Sequence, residues 1–130
     1  MEFGSPLGNE IARYLDLNTR QIELTAANMA NIDTPGYLAR GMDFDAEMRK
    51  AMAGSGQPGP GQSGSDLSHP GAEPTVTLVD GLIVRPDGNN VSMDRESLNL
   101  AQAQLRFKTG VALLKGQFSG IMNAIHADSK

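Results

Sequence analysis

The sequence predicts a mainly α fold. Long N- and C-terminal helices pack antiparallel as a coiled-coil hairpin, and an irregular insertion between them carries a small β-hairpin and a mobile loop. Three observations predict this. Apolar residues recur at steps of three and four near both ends of the 130-residue chain. Gly, Pro and Ser dominate a stretch of the middle. Large apolar side chains are scarce: 39% of residues are hydrophobic, 5% aromatic, and Trp is absent, which is thin for one compact core.

Residues 1–5, Met-Glu-Phe-Gly-Ser, read as a cloning remnant and are set aside. Without Glu2 the formal charge moves from -4 to -3. Residues 6–32 read as the first helix. Ile11, Leu15, Ile22, Thr25, Met29 and Ile32 form one row, and Tyr14, Leu17 and Leu24 a parallel one. Asn18 interrupts the first row and Gln21 the second. Pro35 disfavours helix at Thr34, and Pro35-Gly36 suits the centre of a type II turn.

Residues 33–91 form the irregular insertion. Phe44 to Met52 reads as a short helix. Residues 54–74 carry almost no large apolar side chain, so burial cannot offset chain entropy and a mobile loop is expected. Thr75–Val79 and Leu82–Val84, joined across Asp80-Gly81, read as a β-hairpin over residues 75–84. Pro86-Asp87-Gly88-Asn89-Asn90 is turn chemistry.

Residues 92–127 read as a long helix, followed by a tail at 128–130. Ser92 or Asp94 caps its start, and Asp94 with Glu96 suits the positive end of the helix dipole. Leu100, Gln104, Phe107, Val111, Leu114, Phe118, Ile121 and Ile125 alternate steps of four and three, a seam expected to bury against the N-terminal helix or another chain. Gly110, Gly116 and Gly120 each cost roughly 1 kcal/mol against Ala in a helix interior. A close helix–helix approach is the expected compensation.

The chemistry is sparse. With no cysteine, disulfides, thiolate metal sites and Cys nucleophiles are excluded. No apolar run is long enough to span a membrane. The mild acidity argues against a nucleic-acid binder. His69 and His126 have no partner acid or nucleophile at a fixed spacing. A calcium loop starting at Asp87 would need Glu at its twelfth position, where Leu98 stands. The scattered methionines read as gap-filling residues. No catalytic, cofactor-binding or metal-ligating residue is expected, and no small-molecule substrate.

The most specific stretch runs from Leu24 to Tyr37. Its Ala27-Asn28-Met29-Ala30-Asn31 core at a helix end, followed by Thr34-Pro35-Gly36-Tyr37, resembles the signature of bacterial flagellar rod and hook axial proteins. Met42-Asp43-Phe44, Arg85-Pro86-Asp87-Gly88-Asn89-Asn90-Val91 and Asp94-Arg95-Glu96 narrow the resemblance to proximal rod proteins of the B type. Gln104-Leu105-Arg106-Phe107 and Phe118-Ser119-Gly120-Ile121 fit the same C-terminal helix. Ser92 departs from the pattern, where Asp is more usual.

That resemblance implies a non-enzymatic structural subunit of the basal-body rod that self-associates and transmits torque for motility. It implies synthesis in the cytoplasm, type III export without a cleavable signal peptide, and a periplasmic location. The implied partners are other rod proteins, the ring-to-rod adaptor, the rod-capping protein and the flagellar type III export apparatus. Asn28 and Asn31, one helical turn apart, would either bond free carbonyls at the helix end or bridge to a neighbouring subunit. A cytoplasmic helical binding module, such as an export chaperone, is the main alternative, and a small hydrolase a weaker one.

Overall fold

The computed structural model describes residues 5–54 and 73–129. Three helices and one two-stranded sheet account for the regular structure: α1 Pro6–Ala30, β1 Arg40–Gly41, α2 Phe44–Gly54, β2 Thr77–Leu78 and α3 Met93–Asp128. The loop expected at 54–74 lies outside the described residues except at 54, 73 and 74; of the tail expected at 128–130, Asp128 closes α3 and Ser129 is its C-cap, and residue 130 lies outside the described residues.

Helix α1 begins where the sequence places Pro at its first position, a site that needs no N–H. Ser5 caps it: its Oγ accepts from Gly8 N at 3.1 Å and from Gln117 Nε2 at 2.7 Å. Ser5, the last residue of the stretch that reads as a cloning remnant, thus takes part in the fold through its hydroxyl. Helix α3 begins at the expected cap, Ser92, whose Oγ accepts from Arg95 N at 3.4 Å. Its 36 residues make it roughly 54 Å long.

The two long helices pack antiparallel. Asn28 near the end of α1 reaches Glu96 near the start of α3. Asn18 in mid-helix reaches Ala103, Leu15 lies against Gly110, and Ser5 meets Gln117. The row of α3 that faces α1 is therefore Glu96, Ala103, Gly110 and Gln117, a heptad of polar and small residues. A Cβ added at Gly110 would lie 2.6 Å from Leu15 Cδ2 and 3.1 Å from Tyr14 Cδ1. Here the glycine permits the close approach the sequence predicts. Gly116 and Gly120 do not: among the described residues no atom lies within 4 Å of a Cβ built at either.

Helix α2 caps on Asp43, whose Oδ1 accepts from Ala46 N at 3.0 Å. Its first residue, Phe44, is buried and meets Tyr14 edge-on at 5.3 Å. The Arg106 guanidinium sits 4.3 Å above the same ring. One aromatic side chain thus ties α2 to both long helices, with cation–π attraction adding to burial.

The sheet differs from the expected hairpin. Thr77–Leu78 is strand as expected, but its antiparallel partner is Arg40–Gly41, with Arg40 opposite Leu78 and Gly41 opposite Thr77. Val79 N continues the ladder by donating to Ala39 O at 2.9 Å. Leu82–Val84 pairs with neither strand. Local β-propensity marked one strand, and a segment with no strand signal supplied the other.

Candidate assembly site

At the closed end of the hairpin, three asparagines and one glutamate do the work of a core. Asn28 is 1% exposed, and each side of its amide is used twice. Nδ2 donates to Arg40 O at 2.8 Å and to Glu96 Oε2 at 3.2 Å. Oδ1 accepts from Arg40 N at 3.0 Å and from Tyr37 Oη at 3.2 Å. The side chain binds Arg40 as a neighbouring β-strand would, through both its N–H and its carbonyl. This holds the chain leaving the turn beside the helix it has just left.

Asn31 is the C-cap of α1. Its Nδ2 donates to Ala27 O at 2.8 Å, and its Oδ1 accepts from Thr34 Oγ1 at 3.1 Å. Tyr37 N then donates to Thr34 O at 3.2 Å, closing a turn around Pro35-Gly36 with Gly36 at φ 75°. A positive φ at the third turn position is the type II arrangement that Gly favours. Ala27 and Ala30, the small residues of the signature, are exposed.

The other half of this clasp comes from the turn before α3. Asn89 is 0% exposed. Its Nδ2 is shared among the carbonyls of Asn31 at 2.8 Å, Ile32 at 3.1 Å and Thr34 at 2.9 Å. Its Oδ1 accepts from Val91 N at 2.8 Å. The open carbonyls at the end of α1 are thus capped by a residue from the far side of the insertion. Arg85 Nη2 donates to Ile32 O, Gly36 N donates to Asp87 O at 2.8 Å, and Ala39 N donates to Asn90 Oδ1 at 2.6 Å. Gly88 is at φ 84°, and a Cβ there would lie 3.3 Å from Gly36 Cα. Two glycine turns therefore lie back to back.

Glu96 completes the clasp. It is 0% exposed, at the N-terminal turn of α3, where the helix dipole favours an anion. Arg95 Nη1 donates to its Oε1 at 3.2 Å and Asn28 to its Oε2. The signature asparagines and the Arg85–Glu96 segment, distant in sequence, therefore form one network. Both signature amides find partners within the chain: Asn31 on the helix-end carbonyl of Ala27, Asn28 on Arg40 and Glu96.

The seam of α3 is placed differently. At roughly 100° per residue, Leu100, Phe107, Leu114 and Ile121 lie about 50° to one side of the row that meets α1, and Val111, Phe118 and Ile125 about 100° to the same side. Leu100, Val111 and Leu114 are half-buried. Phe107 is 44% exposed, Phe118 49%, Ile121 46% and Ile125 58%. Within the single chain the seam borders the α1 contact without entering it, so the N-terminal helix does not bury it. The helices meet through Ala103 and Gly110, and the bulkier residues flank that contact.

Sequence reasoning missed Asn18, Asn89, Asn90 and Glu96 as interior residues. Asn18, the residue that interrupted the first row, is 0% exposed, and its Nδ2 donates to Ala103 O at 2.8 Å. The available signal was the position itself: Asn18 lies on the inward row of α1, where a polar residue needs a partner.

A shallow polar cleft of about 230 Å³ lies between the start of α2 and α3, bordered by Asp43, Arg95 and Arg106. The buried Glu47 carboxyl does not line it. Burial pushes that carboxyl up, but bonds from Lys50 and Thr75 outweigh burial and hold it below its ordinary value of 4.5. Among the described residues no cluster of three or more His, Cys, Asp or Glu could hold a metal ion, and no helix is long and apolar enough to cross a membrane.

No protein-family model matches the chain. Individual relatives do. The chain is 38% identical over 119 residues to the flagellar basal body rod protein FlgB of Salmonella typhimurium, covering 85% of this chain and 86% of that one. It is 36% identical over 119 residues to the FlgB protein of Yersinia ruckeri, covering 85% and 87%. It is 33% identical over 128 residues to a FlgB protein of Cereibacter sphaeroides, covering 90% and 91%. These matches span 85–90% of this chain, and the chain belongs to the FlgB family of flagellar basal body rod proteins.

Proposed function

We propose that this chain is a structural subunit of the bacterial flagellar basal-body rod that assembles through its terminal helices and transmits torque without catalysing a reaction. One observation carries the reading beyond family membership: α3 keeps a row of large apolar side chains outside its contact with α1, although the inward row is built of small and polar residues. Apolar area that one fold leaves in water favours burial on association. The rod setting implies export through the flagellar type III apparatus to a periplasmic location. It also implies contacts with other rod proteins, the ring-to-rod adaptor and the rod-capping protein. Ala27, Asn28, Ala30, Asn31, Thr34, Pro35, Gly36 and Tyr37 serve assembly indirectly, by fixing the angle at which the helices leave the clasp.

The test is complementation of a strain made non-motile by loss of its own FlgB protein. Restored swimming, with the chain present in purified basal bodies, is the expected result. A chain that is secreted but absent from basal bodies would overturn the rod reading. No feature of the described residues favours the export-chaperone or hydrolase alternatives.

A further inference from the structure

Charge is distributed unevenly along the two long helices. Between Glu96 and Asp128, α3 contains no acidic residue. Lys108 and Lys115, one heptad apart, run along the outer edge of its apolar seam. Both are exposed, and neither has an ion-pair partner among the described residues. Helix α1 presents the complement on the side turned away from α2. Thr19, Ala26 and Ala30 form an exposed row of small residues there, and Asp16 and Glu23, also one heptad apart, run along its edge. Glu23 holds only the exposed pair with Arg20 at 3.0 Å, a contact weak enough to exchange.

We infer that the open seam of α3, around Phe107, Val111 and the Lys108–Lys115 edge, docks the small-residue face of α1 from a second copy of this chain, with Asp16 and Glu23 of that copy meeting Lys115 and Lys108. This deepens the reading of the chain as an assembling rod subunit and rests on it. Three features of the two surfaces select a second copy as the occupant. Bulky side chains on one surface face small ones on the other. The two charged edges have opposite sign and the same seven-residue spacing, the pattern by which flanking charges set helix pairing. The polarity also fits: a head-to-tail repeat that keeps every copy in one orientation places one copy's α1 antiparallel to its neighbour's α3, as it is to its own.

In an antiparallel pair, edges on the same rotational side of the two faces meet. Lys108 and Lys115 follow the apolar row in the same sense as Asp16 and Glu23 follow the small-residue row. Placing Asp16 level with Lys115 shifts the neighbour along the axis by roughly 12 Å relative to the intrachain register. The contact joins two different surfaces, so it is head-to-tail and passes on to further copies, in a ring or an open filament, instead of closing as a two-fold dimer.

Charge reversal tests this. Lys108→Glu with Lys115→Glu, and separately Asp16→Lys with Glu23→Lys, should each weaken the contact by about tenfold or more and abolish swimming in a strain lacking its own FlgB protein. Circular dichroism and secretion should be unchanged, because all four side chains are exposed. Combining the four substitutions restores opposite charges and should restore swimming. A second arm uses the absence of cysteine from the sequence. Purified Asp16→Cys and Lys115→Cys variants, mixed and treated with a short bis-maleimide, should give a crosslinked dimer that neither variant gives alone. If the unaltered chain complements but the fourfold variant swims no better than the double variants, and the mixture gives no dimer, the inference is overturned while the rod reading stands. Double variants that swim normally would also overturn it. Crosslinking of Lys115→Cys to a different rod protein in basal bodies, with none to Asp16→Cys, would assign the surface to another partner.

Discussion

The closed end of the hairpin and the open flank of α3 invert the usual placement of side chains. At the closed end, polar groups are interior: Asn28, Asn89 and Glu96 are fully buried and bonded to one another or to the backbone. Along the flank, large apolar groups are exterior. The difference follows from what each must accomplish. A clasp joining a helix end, a turn and an edge strand gathers many unpaired backbone groups, and only polar side chains can satisfy them without water. A surface that makes its contacts between molecules needs area and shape, which Phe and Ile supply. This chain therefore fixes its own geometry with hydrogen bonds and leaves much of the apolar area of α3 exposed, the area that the proposed assembly covers.

The comparison is broken most severely at Asn28. Asn28→Leu removes both bonds to Arg40 and leaves the buried Glu96 carboxylate with Arg95 as its remaining side-chain partner. A loss of about 3–5 kcal/mol is expected in urea unfolding of the isolated chain. A loss under about 1 kcal/mol would mean the amide serves a neighbour instead. Asn89→Ala opens the carbonyls of Asn31, Ile32 and Thr34 together and should cost about 2–3 kcal/mol. Amide exchange in the last turn of α1 should rise before global unfolding.

Next in size is Gly110→Val, which forces a branched side chain against Leu15 and Tyr14. It should cost about 2 kcal/mol, while Gly116→Ala and Gly120→Ala, with open space around them, should stabilise α3 slightly by helix propensity. Phe107→Ala sharpens the contrast from the other side. On the isolated chain it should cost only about 1 kcal/mol, well below the loss for a fully buried Phe, yet rod assembly should fail. A full core-sized loss in the isolated chain would mean the seam is an ordinary buried face.

The smallest effect is expected at Glu47, whose carboxyl is held below its ordinary value of 4.5 by Lys50 and Thr75 against the opposing effect of burial. A lowered carboxyl contributes stability that is complete above pH 4.5 and disappears as pH falls through the lowered value. Lys50 is 45% exposed, so screening keeps the contribution small. The difference in Tm between the unaltered chain and Glu47→Gln should therefore shrink as pH falls below 4.5, and a difference that grows would reverse the assignment.

The sequence by itself determined the local features. Helical periodicity placed α1 and α3, Pro35-Gly36 placed the turn, Ser92 placed the start of α3, and Phe44–Met52 placed α2. Each depends on propensity, capping or turn chemistry acting within a few residues. The signature and the Arg85–Glu96 segment were also legible as separate motifs. Tertiary structure decided that they form one clasp, because Asn89 and Glu96 find their acceptors and donors only when the ends of the insertion come together. It also decided the partner of Thr77–Leu78, since Arg40–Gly41 carries no strand signal and is held extended by Asn28. Finally, it decided which of two rows on α3 meets α1. Both rows satisfy a heptad, but close approach of two backbones is favoured where Ala103 and Gly110 let Asn18 reach a carbonyl and Leu15 sit against the helix, and that distance is a property of the pair of helices.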